Sequence, residues 1–194
     1  MHRRHFMFKT AASLAVTGLA VAGCGTTTSS TVTRDSTSRR TEIDTGVDAA
    51  LTRLYSTVPG SRELVLKANG ALIFPHVIAA GLVVGGQYGE GALRVRGKTV
   101  DYYSLASVSV GLQIGAQSKA IFFLFMTQDA LDKFRKSEGW AVGVDASVAV
   151  VKVGANGSVD INSVTGPVVA FVLTNAGLMA NLSLEGTKIT RSKS

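Results

Sequence analysis

Four side chains in the central part of the chain have the chemistry to move protons: His76, Glu90, Asp101 and Asp145. No spacing ties any of them to another, so no catalytic residue is predicted. His76 is the only histidine beyond position 5. A Ser-His-Asp triad or a histidine-based metal cluster would therefore rest on one residue, and neither a metal nor a cofactor is expected. Gly86-Gln87-Tyr88-Gly89-Glu90-Gly91 is glycine-rich but does not open a helix, so it lacks the context of a phosphate-binding loop. What remains is cationic. Arg96, Lys98, Lys119, Lys133, Arg135 and Lys136, with Lys67, are the side chains available to meet an anionic headgroup. Each taken alone reads equally well as a solvated surface charge.

The sole cysteine, Cys24, has a more telling context. A basic start (Arg3, Arg4, Lys9) precedes an apolar run from Ala11 to Ala22, which is too short for a bilayer span of about 20 residues. That is the pattern of a secretory signal. Its end, Val21-Ala22-Gly23-Cys24, resembles the lipobox of bacterial lipoproteins, which implies a diacylglycerol on the Cys24 sulfur and cleavage just before it. Two or more acyl chains anchor firmly where one binds reversibly. Gly25 in place of an aspartate favours the outer membrane, facing the periplasm. Arg3-Arg4-His5-Phe6-Met7 also resembles a twin-arginine export signal, and the choice between the two export routes stays open.

With residues 1–23 read as signal, three basic residues leave, and 17 basic stand against 13 acidic residues, a net charge of +4. That mild excess is no argument for nucleic acid. Residues 24–40, rich in Ser and Thr, read as a flexible tether. Residues 41–194 read as one domain. Thr41-Glu42-Ile43-Asp44 fits a capping box, and a helix to Val58 is expected, stopped by Pro59-Gly60. Its apolar stripe of Ile43, Val47, Ala50, Leu51, Leu54 and Val58 has Glu42, Asp44 and Asp48 on the other side. Membrane-surface helices carry Lys and Arg there, so packing against the domain's own core is favoured. A second short helix is expected from Ser61, as N-cap, to Lys67.

Beyond Ala71 the period becomes two. Strands are expected near 71–74, 81–88, 91–96, 99–105, 106–116, 119–126, 140–153, 158–163, 168–174 and 178–185. Gly97-Lys98 reads as a hairpin loop, a register that sets Arg94 opposite Asp101. Asn156-Gly157 and Asn175-Ala176-Gly177 mark further hairpins. Thr127 is expected to cap one inserted helix, with Asp129/Lys133 and Asp132/Lys136 as i,i+4 pairs. The strands near 106–116 and 140–150 each have one face of small residues. A packed helix, a barrel wall or an acyl chain would fit there, packing being the commoner cause. Residues 121–126, apolar on both faces, read as a central covered strand. The fold class expected is α+β: a mostly antiparallel, strongly curved, barrel-like sheet with N-terminal helices and one inserted helix.

Several of these segments together resemble the SYLF (Ysc84-type) domain. They are Leu72-Ile73-Phe74-Pro75, Ala80 through Gly91, Ser109 through Ser118, Leu124-Phe125-Met126-Thr127, Phe134 through Trp140, Gly143-Val144-Asp145 and Gly177 through Gly186. The likeness spans roughly residues 60–190. It implies phospholipid binding without catalysis, and the family label implies actin binding, which fits a bacterial envelope poorly. The expected partners are the membrane, through the lipid on Cys24, phospholipids, and envelope or host proteins; no nucleic acid is expected. The resemblance carries no lipid-contacting residue onto this chain. Its eukaryotic members place a basic amphipathic segment before the domain, where this chain has an acidic helix.

Overall fold

The computed structural model describes residues 29–81, 84–110, 117–151, 165–175, 177–178, 184 and 186–192. Cys24, the signal, the strand expected near 158–163, the Asn156-Gly157 hairpin and residues 111–116 lie outside them.

Helix α1 (Ser29–Thr57) and helix α2 (Ser61–Lys67) precede a run of strands: β1 (Gly70–Gly81), β2 (Val84–Val95), β3 (Lys98–Val110) and β4 (Gln117–Phe125). Helix α3 (Gln128–Lys136) follows. After it come β5 (Trp140–Ala141), β6 (Val148–Val150), β7 (Val168–Thr174), β8 (Gly177–Leu178) and β9 (Lys188–Arg191). The strands form one sheet in the order β5-β9-β3-β2-β1-β4-β7-β6, with β8 beside β7. Every pairing is antiparallel except β6 with β7. The sheet curls into a half-barrel, as the α+β reading expects.

Alternation along the strands supplies two cores. The inner face of the curl buries Leu72, Phe74, Leu93, Leu105, Phe123 and Phe125, and α3 adds Leu131 and Phe134. Aromatic rings knit this side: Phe134 lies 4.8 Å from Phe125 and 5.5 Å, edge-on, from Trp140. The outer face presents Ile73, Ala92, Phe122, Leu124 and Phe171 to Val47, Ala50, Leu54 and Val58 of α1 and Leu64 of α2. The apolar stripe of α1 thus packs on the protein itself. Strand β4, central between β1 and β7, is buried from Lys119 through Phe125.

Proline explains the main irregularity. Pro75 has no N–H to give the ladder, and β1 shifts register on both sides between Ile73 and Val77. The strand expected at 71–74 therefore does not end at the proline. It bulges and continues to Gly81. Gly91, on the paired strand, accommodates the bulge: a Cβ there would stand 2.1 Å from the Ile73 carbonyl oxygen.

Several expectations are corrected. Helix α1 begins at Ser29, so at least residues 29–40 are helical instead of forming a flexible tether, and Thr41 is no cap. The Thr41 hydroxyl donates back to the Thr37 carbonyl at 3.0 Å, as Thr45 does to Thr41, so neither frees the side chain to end the helix. Arg39 and Arg40 also hold this stretch to the sheet, by an ion pair to Glu90 and a cation–π contact with Tyr102. Gly60, at φ 84, takes the N-cap position of α2 expected of Ser61. Ser61 is buried and donates to the Val58 carbonyl at 2.6 Å. The β2–β3 turn is Arg96-Gly97, with φ of 52 and 77, not Gly97-Lys98. A bulge follows, so Arg94 pairs with Thr99 and Asp101 with Leu93. The long strand expected over 140–153 is broken. Gly143, at φ 86, starts a turn, and the Asp145 carboxylate accepts the Ala141 N–H at 2.6 Å. Strand β9 was not expected at all. The Thr127 cap holds, accepting from the Ala130 N–H at 3.2 Å, as does the Asp129–Lys133 pair at 2.9 Å. The Asn175 hairpin holds too, closing Thr174 on Gly177.

Candidate functional site

Of the proton-transfer candidates only His76 and Glu90 are brought together, as cross-strand partners, and the carboxylates are held in structural contacts. Glu90 accepts from Arg39 at 2.9 Å and from the Tyr88 hydroxyl at 3.1 Å. Asp101 pairs with Arg191 at 3.4 Å, and Asp145 closes its turn. His76 is exposed and lies across the ladder from Glu90. Burial first, and then the Glu90 carboxylate, raises the Tyr88 phenol above its usual pKa, the wrong direction for a phenolate base. Among the described residues no three His, Cys, Asp or Glu side chains gather where a metal could sit.

The cations behave differently. Arg96 and Lys98 stand at the exposed β2–β3 turn, the end of the sheet where β1 begins and β4 finishes. Helix α3 crosses that same end: the Leu131 side chain lies against Gly70, and the Arg135 carbonyl accepts from Arg191 at 2.9 Å. Lys133, Arg135 and Lys136, all exposed, therefore share an end of the molecule with Arg96 and Lys98. Of these five, among the described residues, only Lys133 has a carboxylate partner. Three nearby acids are engaged, Asp101 by Arg191, Asp129 by Lys133, and Asp132 as acceptor from Gln128 at 2.9 Å, while Glu138 stands exposed two residues past Lys136.

Lys119 does not join them. It pairs with Val77 beyond the bulge, towards the other end of the sheet, with 8 % of its surface exposed. Its position in β4 puts it on the inner face with Ile121 and Phe123. Burial pushes its pKa below the usual lysine value.

Sequence reasoning missed a further feature, a hollow under the N-terminal half of α1. A cavity of about 240 Å³ is bounded by Arg39, Ile43, Pro75, Ile78, Tyr88 and Glu90. Ile78 and Tyr88 are cross-strand neighbours, 56 % and 52 % exposed. Their alternation gave no warning, because it is the pattern of a covered face.

Helix α3, with three of the five cations, and most of the inner-face core come from the second half of the chain. That half matches a known family: the Ysc84 model, described as Las17-binding protein actin regulator, covers residues 106–194. No curated protein matches the chain. The matched segment runs from the distal part of β3 through α3 to β9. Strands β1 and β2, whose motifs carry the upstream part of the resemblance, complete the same sheet. Residues 106–194 thus carry the match to a SYLF domain of the Ysc84 type.

Proposed function

We propose that this chain is an exported, non-catalytic lipoprotein of the cell envelope, anchored through Cys24, whose SYLF domain binds phospholipid headgroups at its basic end. The observation that carries the reading is the gathering of Arg96, Lys98, Lys133, Arg135 and Lys136 at one end of the sheet. Each such cation contributes about 1 kcal/mol near an anionic surface. Residues 1–23, as signal, and the lipobox ending at Cys24 support the export and anchoring, with the outer membrane, facing the periplasm, as destination.

Co-sedimentation of the soluble chain from Gly25 with anionic vesicles tests the headgroup reading. Binding at low salt should fall at least tenfold when Arg96, Lys98, Arg135 and Lys136 become alanine; no binding by the parent chain sinks it. Cys24→Ser should move the full chain out of the membrane fraction. The family model's description favours one second reading, in which the same surface docks a protein partner. Capture of that partner by a chain that ignores vesicles would establish it.

A further inference from the structure

The N-terminal half of α1 covers the outer face only loosely: Ile78 and Tyr88 line the hollow beside the helix and still stand half exposed, and the uncovered surface is apolar. Ile78 on β1, Tyr88 on β2 and Val108 on β3 are 56 %, 52 % and 74 % exposed. Register makes them one patch: Ile78 faces Tyr88, Tyr88 faces Ala106, and Val108 lies opposite Gly86, one step further along the same face. Exposed Lys188 continues the row, opposite Ala106 on β9. The phenol of Tyr88 reaches back to Glu90, giving the patch an apolar body with a polar rim. Tyrosine and lysine bordering apolar side chains is the composition of a membrane–water interface.

The direction of α1 says which surface would cover it. Asp48 pairs with Arg94, Asp44 with Thr99 and Tyr102, and Arg39 with Glu90. Nine helical residues advance about 13 Å, and the four strand residues from Arg94 to Glu90 span about the same. The helix therefore runs along β2, with its N-terminus heading towards Tyr88. From Arg39 back to Ser29 it extends about 15 Å further that way, and Cys24 is five residues beyond.

We propose that the Ile78–Tyr88–Val108 patch lies against the bilayer that carries the Cys24 lipid, setting the domain's orientation on its own membrane. This rests on the anchor proposed above, and it places the basic end facing away from that membrane.

The test uses the full, lipidated chain in vesicles containing brominated phospholipid. A Tyr88→Trp variant should lose its added fluorescence to the bromines, while Lys98→Trp at the far end keeps its own; buried Trp140 gives the shared baseline. Adding Ile78→Asn and Val108→Asn, at exposed positions, should restore the Tyr88→Trp signal. Acylated protein in which Tyr88→Trp is unquenched overturns the orientation alone. Absence of acyl mass on Cys24 overturns the anchor and the orientation with it. Concentration-dependent shielding of Tyr88→Trp without quenching assigns the patch to a second copy of the chain, and also overturns the proposal.

Discussion

Asp44 turns both carboxylate oxygens to the sheet, accepting from the Thr99 hydroxyl at 2.7 Å and from Tyr102 at 2.8 Å. Arg94 stands beside it, paired with Asp48 and 15 % exposed, its Nε buried without a partner. These charges fasten a helix, which is why an acidic polar face suits α1. Lys119 is the opposite case, a charge whose burial opposes folding. Its folded pKa is lowered, so between that value and the unfolded value of 10.5 the native state holds fewer protons than the unfolded chain. The penalty is greatest below that lowered value and fades as pH rises from it towards 10.5. Lys119→Met should therefore stabilise the protein at pH 7 by about 1 kcal/mol, a rise in Tm of about 3 °C. The advantage should shrink at pH 10. A gain that is constant with pH, or a loss, rules this account out.

At the scale of elements, the Pro75 bulge is the least forgiving feature. A methyl at Gly91 would meet the Ile73 carbonyl at 2.1 Å and the Phe74 ring at 2.7 Å, so the central strand itself must move. Gly91→Ala should cost about 3 kcal/mol or more, as overpacking in a core does. Gly97 has φ 77 and nothing within 4 Å, so Gly97→Ala should cost only about 1 kcal/mol, the price of the left-handed backbone. Thermal melts of the two variants in parallel check the order, and a milder Gly91→Ala would refute it. The same contrast explains what the sequence made legible. Strand β4, the Thr127 cap and the Asn175 hairpin are written in local patterns, and they stand where those patterns put them. The bulge, the early start of α1 and the turn at Gly143 depend on partners distant in sequence, Gly91, Glu90 and β9 among them, so local periodicity could not show them. The cations were legible as residue types only. Which of them share an end depends on α3 crossing the sheet, and the burial of Lys119 depends on the curl.

At the scale of the whole molecule, the two proposed surfaces lie at opposite ends of β2. Tyr88 and Arg96 are eight residues apart, about 26 Å along the strand, whereas salt at 0.1 M screens charges beyond about 10 Å. A membrane touching Tyr88 would thus neither attract nor occupy the cations at Arg96 and Lys98, nor those of α3 at the same end. They would remain available to a second anionic surface. Lipidated protein on carrier vesicles should therefore link them to lipid-free anionic vesicles, seen as rising turbidity and as energy transfer between differently labelled populations. The linkage should dissolve in high salt while the protein stays on its carrier, because acyl chains do not respond to screening and headgroup contacts do. Replacing Arg96, Lys98, Arg135 and Lys136 by alanine should remove the linkage at low salt too and leave the attachment intact. If that variant links vesicles as well as the parent does, the basic end is not the outward-facing surface, and the two-ended arrangement fails.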